Sequence, residues 1–404
     1  MTSLPSSIPA PAPRADRIVA LDALRGLAVL GLAWMNVYAF ALPLQAYYNP
    51  SVFGMESATD RWVWLASFVF VEDKFRTLFA MLFGAGCLIL LEKDQQNPIR
   101  AHVARMAVLF AIGLVHSTML ASNDVLRVYA LAGLALPVLR GFSPYALYAV
   151  AIGLVAAHIA FGMVAFGSGI LDFYQGRTGT EAALFMERNF GSDAAALRSS
   201  MALGEEGIAD RILRRATSIP NQIAILASAL PLTLAAMAIG MALWRQRMLA
   251  GEWRTFRLQR LAGLCALVAI PALLLLAEWM GRSGFSAPVV GAVVLVLSAP
   301  FDMLLALAYA MVIIAFANAS EAWVNGLAAV GRLALTNYIA TSVIFAAIFA
   351  SWGLGWFGEV GRSEAFLFSF IPIGLILLWS PLWLRAFGQG PLERLWRGIV
   401  RRLS

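Results

Sequence analysis

A chain of 404 residues that is 61% hydrophobic and only 13% charged, with mean hydropathy +0.77, is not an ordinary soluble domain, in which about a quarter of the residues are charged. Its two cysteines and three histidines have neither disulfide nor ligand spacing, so no metal site and no disulfide framework is expected. The formal charge of +7 comes from arginines between apolar runs, which orientation in a bilayer explains without nucleic acid. The expectation is an all-α, polytopic integral membrane protein of about ten transmembrane helices around a polar cavity.

Residues 1–17 are rich in Ser, Pro and Ala and read as a disordered cytoplasmic N-terminus, with no cleavage pattern after them. Apolar spans then follow at roughly 18–41, 62–91, 102–121, 124–140, 144–170, 218–244, 258–280, 287–316, 327–352 and 364–387. They form a single membrane domain, residues 18–390, with a charged, helix-prone insertion at 171–216 and a basic tail at 391–404. Arginine and lysine crowd alternate connections: Lys93, Arg100, Arg140, the cluster from Arg245 to Arg260, and the tail from Arg385 to Arg402. The opposite short loops hold only Arg61, Arg282 and Arg362. Both termini should therefore be cytoplasmic and the insertion outside.

Charge within an apolar span is costly unless it is paired or hydrated, so each such residue marks a buried pair or a wet cavity. In the first span Asp22 and Arg25 share a helix face, and Asn36 lies three turns beyond Arg25 on the same stripe. The second span carries Glu72, Asp73, Lys74 and Arg76, whose spacing offers Glu72–Arg76 and Asp73–Arg76 pairs and turns Lys74 to another neighbour. Ser122–Asn123–Asp124 makes a tight turn after His116, so His116 and Asp124 can meet across a hairpin, with Arg127 one turn on. A carboxylate beside an imidazole fixes its tautomer and raises its basicity, as a general base requires. The alternative is a histidine that only ties the hairpin. Asp302 follows Pro300 inside a span, and Arg332, Thr336 and Asn337 share a face of another. His102, His158 and the two cysteines read as packing residues.

LDALRG followed by MN at 21–36 resembles the N-terminal signature of the YeiB-like family of bacterial inner-membrane proteins. That family is related to the lysosomal heparan-glucosaminide N-acetyltransferase and, more distantly, to the acyltransferase-3 family. FVFVEDKFRTLFAMLFGAG, GLVHSTMLASNDVLRVYALAGL, AAVGRLALTNYIATS and GQGPLERLWR also resemble YeiB-like motifs. In acyltransferase-3 proteins a histidine stands where this chain has Asn36, and asparagine is no general base. The resemblance implies acyl transfer from a cytoplasmic thioester, such as acetyl-CoA or another acyl-CoA, to a hydroxyl or amine. In that reading His116 and Asp124 deprotonate the acceptor, and Asn36 and Lys74 stabilise the oxyanion. Arg25, with Asp22 and Arg332, would hold the donor phosphates. Asp73, Arg76, Arg127, Tyr129, Asp302 and Asn337 would line the acceptor path. Membrane lipids and a small-molecule, glycan or lipid acceptor are the expected partners, and a homodimer is left open. A solute transporter and a non-catalytic lipid binder are the rival classes. Neither an internal repeat nor paired interrupted helices is legible in the sequence, which argues against an inverted-repeat transporter.

Overall fold

Prolines and small polar caps set where the helices begin. The computed structural model describes residues 14–93, 97–317 and 321–403, the side chains at 14–18, 321 and 322 excepted. The expectation for residues 1–13 lies outside them, and Arg14 already belongs to α1 (Arg14–Ala41). A short α2 (Leu44–Tyr48) follows Pro43. Ser57 opens α3 (Ala58–Phe70), exchanging side-chain and backbone hydrogen bonds with Asp60. α4 (Lys74–Glu92) and α5 (Pro98–Met119) come next. Asp124 caps α6 (Val125–Gly133), which continues into the single turn α7 (Leu136–Leu139). Ser143 and Pro144 start the long α8 (Pro144–Tyr174).

The insertion is three short helices, α9 (Glu181–Phe190), α10 (Ala194–Ala202) and α11 (Ile208–Thr217). Then come α12 (Ile219–Arg245), α13 (Thr255–Arg282) and α14 (Ala287–Ala292), the last running through a π-helical turn at Val293–Leu297 into α15 (Ala299–Ala317). α16 (Glu321–Arg332) and α17 (Ala334–Phe349) meet at an 80° bend. α18 (Arg362–Phe368), α19 (Phe370–Phe387) and the basic α20 (Pro391–Leu403) complete the chain.

Among the described residues eight helices are long and apolar enough to cross a membrane, or nine if the bent α16–α17 pair counts as one. The protein is an all-α polytopic membrane protein. The expected span at 124–140 is the one that falls short, because it breaks between α6 and α7. At ~1.5 Å per residue its residues 125–139 still reach roughly 20 Å. They do cross the molecule: Arg245, at the end of α12, bonds the carbonyls of Arg140 and Phe142 and lies 3.3 Å from Glu92 at the end of α4. The chain therefore has a terminal end, with residues 92–93, 97–98, 140–144, 245–255 and α20, and an insertion end, with 119–124 and α9 to α11.

Two spans expected to be continuous are interrupted, as is a third, 287–316, in which Pro300 signals a kink. Asp73 adopts a left-handed backbone, φ 58°, between α3 and α4, an uncommon conformation for a residue with a side chain. The break keeps Asp73 on Arg76, 3.0 Å away. It leaves Glu72 off Arg76, beside Arg362 and Tyr38 at a small cavity of about 20 Å³. The π-helical turn precedes Asp302, and the α16–α17 bend separates Arg332 from Thr336 and Asn337, which do not form one helical face. Interrupted helices are thus present where the sequence suggested unbroken ones.

Elsewhere glycine lets backbones touch. Gly26 of α1 lies against the Leu327 carbonyl and Gly331 of α16 against that of Asp22. Gly84 of α4 and Gly240 of α12 abut Met237 and Met81 in the same reciprocal way. Such small-residue crossings replace the hydrophobic driving force that helices lack in lipid.

The insertion is docked onto the bundle. Asn49 donates to the Phe190 carbonyl (2.7 Å), Ser200 accepts from the Leu44 N–H (2.9 Å), and Arg215 donates to the Ser117 carbonyl (3.0 Å). Inside it, two 2.7 Å hydrogen bonds from Arg214 hold the Glu206 carboxyl below its usual range, and burial lowers Arg215 to about 10.

Candidate functional site

Two polar regions face each other across Tyr338. The first is a cavity of about 750 Å³ at the terminal end, enclosed by α1, α4 to α6, the α16–α17 bend and α20. Its wall carries six cations, Arg25, Lys93, Arg105, Arg332, Arg397 and Arg401, against two carboxylates, Asp22 and Glu393. Glu393 is already engaged: it accepts the Leu335 and Thr336 N–H groups (2.8 and 3.0 Å) and the Thr336 hydroxyl (2.5 Å). It caps the start of α17, where carboxylates offset both the free N–H groups and the helix dipole.

Asp22 pairs with Arg25 at 2.8 Å, as its spacing suggests, but the Arg25 side chain is 32% exposed. The pair is wet, not a dry core bridge. Arg332 donates to the Gly388 carbonyl (3.0 Å), and one buried terminal nitrogen of Arg105 has no hydrogen-bond partner. The innermost wall is aromatic: Phe79, Phe83, Tyr129 and Tyr338. Tyr129 donates to the Arg76 carbonyl (2.7 Å), and the Tyr338 oxygen accepts the Val125 N–H (3.3 Å).

The second region is the His116 hairpin, which is dry. His116 and Asp124 are 2% and 4% exposed. Nδ1 of His116 lies 2.8 Å from Asp124 Oδ1, and Nε2 lies 2.9 Å from the hydroxyl of Ser342 on α17. The other Asp124 oxygen accepts the Arg127 N–H (2.9 Å), with the Arg127 guanidinium 3.5 Å away. Arg127 reaches on to Gln222 (2.5 Å) and the Ser122 carbonyl (3.3 Å). The Tyr338 ring stands 5.0 Å from that of His116, so one residue borders both regions. Asn36 accepts from Asn123 in the adjoining turn (3.3 Å).

The remaining candidates lie elsewhere. Lys74, 1% exposed, is bonded to Asp302 at 2.6 Å and to the Phe68 carbonyl. It closes the α3–α4 break onto α15. Asn337 donates to the Val330 carbonyl (3.0 Å) and Ser380 (3.1 Å) and accepts from Trp379 (3.1 Å), stitching the α16–α17 bend to α19. His102 and His158 each bond a backbone carbonyl at 2.8 Å. Among the described residues no cluster of His, Cys, Asp and Glu could hold a metal.

Sequence reasoning missed Lys93, Arg105 and Arg397 as cavity cations, and Tyr338 and Ser342 as the link to His116. The signal for the last two was legible: in the stretch LTNYIATS they stand four apart, one above the other on a helix.

Comparison with known proteins gives the family. YeiB of Escherichia coli (strain K12), described as uncharacterized, is 31% identical over 400 residues, covering 96% of this chain and 97% of its own. The chain belongs to the YeiB-like family. YxaH of Bacillus subtilis (strain 168), also described as uncharacterized, is 27% identical over 95% of this chain and 94% of its own. Residues 243–402 match a family described as a protein of unknown function (DUF418). That matched region takes in Arg332, Tyr338, Ser342, Glu393 and Arg397, but not the His116 hairpin. No solved structure matches.

Proposed function

We propose that this YeiB-like protein is a membrane-embedded acyltransferase. It takes an acyl group from a thioester donor, acetyl-CoA or another acyl-CoA, and passes it to a hydroxyl or amine. The observation that carries the reading is the cationic cavity whose innermost wall, Tyr338, also abuts the His116–Asp124 pair. Six cations against two carboxylates, Glu393 spent on a helix cap and Asp22 paired with Arg25, suit the phosphates of a coenzyme-A donor, because guanidinium groups bind phosphate oxygens in pairs. An imidazole oriented by a carboxylate suits proton transfer from the acceptor.

The arginine asymmetry supports cytoplasmic termini in a bacterial inner membrane. The donor would then enter from the cytoplasm, and the acceptor, a glycan, lipid headgroup or small molecule, would approach from the insertion end. Lys74, bound to Asp302, serves the fold better than an oxyanion in this reading, and Asn36 is the nearer donor group.

The test is calorimetric titration of acetyl-CoA into the full-length protein in mild detergent, with free thiol release followed on adding candidate sugars and lipids. Binding that weakens with salt, together with thiol release, supports the reading. Solute transport is the second reading, favoured by the 80° break between α16 and α17, since transporter sites are built at discontinuous helices. Solute flux into proteoliposomes without thioester binding would replace the first reading with the second.

A further inference from the structure

The hydroxyl opposite His116 is the group that nothing above uses. Ser342, His116 and Asp124 come from α17, α5 and the cap of α6, and they stand in line: carboxylate to Nδ1 at 2.8 Å, Nε2 to hydroxyl at 2.9 Å. With the Nδ1 proton donated to Asp124, Nε2 carries the lone pair and faces the Ser342 hydroxyl. The alternative acceptor for that hydroxyl, the Tyr338 carbonyl one turn earlier, is more distant at 3.4 Å. Nucleophile, base and orienting carboxylate in this order define a serine triad by geometry, whatever the fold.

Three features separate this cluster from a histidine that merely ties a hairpin. Asp124 already caps α6 with its second oxygen, so the start of that helix is set without His116. The hydroxyl belongs to a third helix that the hairpin does not need. Ser342 also stands one turn beyond Tyr338, the residue that ends the cationic cavity. A thioester anchored by its phosphates among the arginines would present its acyl end to that wall. Ser342 is 1% exposed, so the Tyr338 side chain must swing aside for the acyl group to arrive.

Resting on the acyl-transfer reading, we propose that Ser342 is the acyl-accepting nucleophile and that transfer runs in two steps through a serine ester. In the first, the Ser342 oxygen attacks the thioester carbonyl while its proton passes to Nε2 of His116. The carbon–sulfur bond then breaks, and the departing thiolate takes that proton and leaves as free coenzyme A. In the second, the acceptor hydroxyl or amine gives its proton to Nε2 and attacks the ester. The bond from the carbonyl carbon to the Ser342 oxygen breaks, and the proton returns to Ser342. No oxidant, reductant or further reactant is consumed.

The experiment is intact-protein and peptide mass spectrometry of the full-length protein after brief incubation with acetyl-CoA and no acceptor, in parallel with diisopropyl fluorophosphate. The expected result is one acetyl group, or one phosphoryl adduct, on the peptide containing Ser342. Both adducts should fall by about 10²-fold or more in Ser342→Ala and His116→Gln. Ser342→Cys guards against a folding defect in Ser342→Ala: it should instead collect a hydroxylamine-labile thioester. Acetyl found on His116, or acceptor-dependent turnover persisting in Ser342→Ala, overturns the serine step and leaves acyl transfer standing as a direct or histidine-borne reaction. Absence of the phosphoryl adduct from the wild-type protein also overturns it, whatever the donor. Failure of the acyl-transfer reading itself would show separately, as absence of acetyl-CoA binding.

Discussion

The cavity at the terminal end and the His116 cluster are separated by one side chain, yet they are built on opposite principles. In the cavity the charges exceed their partners: six cations face two carboxylates, one of which is spent on a helix cap. In the cluster His116, Asp124 and Ser342 are buried and hydrogen-bonded to one another. The first arrangement leaves an excess of positive charge, which is what the acyl-transfer reading asks of a donor site. The second holds its groups in one geometry, which proton transfer needs and a loose, wet site would not provide. The boundary at Tyr338 is therefore the feature on which the acyl-transfer reading turns.

The largest effect should come from the dry side. His116→Ala is expected to keep acetyl-CoA affinity while acyl transfer falls by about 10²–10⁴, read by titration and steady-state turnover of the same preparation. Equal loss of both would make His116 part of the fold or of the donor site. On the wet side, Arg105→Gln should weaken acetyl-CoA binding about tenfold, the scale of one charge-assisted hydrogen bond of about 1.5 kcal/mol. Turnover at saturating donor should be retained. Unchanged affinity would remove Arg105 from the phosphate site.

Tyr338→Ala should dissolve the boundary. In a Ser342→Cys background it should raise the alkylation rate of the new thiol by a water-soluble maleimide several-fold, and no rise would mean that Tyr338 is not the wall. Asp22→Asn should cost only about 0–1 kcal/mol of thermal stability, because its partner Arg25 is wet. A loss of several kcal/mol would instead indicate a dry pair. Smallest is Glu206→Gln in the insertion. The Glu206 carboxyl is depressed, so the stability it adds is present above the unfolded carboxylate range and lost as pH falls through the folded value. Wild type and variant should thus converge in acid, with a neutral-pH difference below about 1 kcal/mol.

What the sequence revealed follows the same division. The Asp22–Arg25, Asp73–Arg76 and His116–Asp124 contacts were legible because helical spacing or one tight turn brings them together. Contacts between distant segments were not: no local rule pairs Lys74 with Asp302, His116 with Ser342, or Glu393 with Leu335. The helix interruptions escaped for a related reason. Nothing around Asp73 is a helix breaker, and near Leu333 only Gly331 weakens the helix, so tertiary packing selects those breaks. Spans 62–91 and 327–352 therefore read as unbroken, and Asn337 read as a cavity residue when it is a stitch at a bend. The cavity cations were dispersed among helix ends, loops and tail, where basic residues read as topology signals and, for the cytoplasmic loops, only collectively as phosphate ligands.

In the acyl-transfer reading, donor and catalyst meet across Tyr338 from the terminal end alone. It is tested most directly with sealed vesicles of known orientation, the termini located by an epitope tag and acetyl-CoA added to the outside only. Vesicles that expose the termini should release free coenzyme A with an acceptor present, and vesicles that expose the insertion should not. Release from insertion-out vesicles, at a rate equal to that of terminus-out vesicles, would contradict the claim.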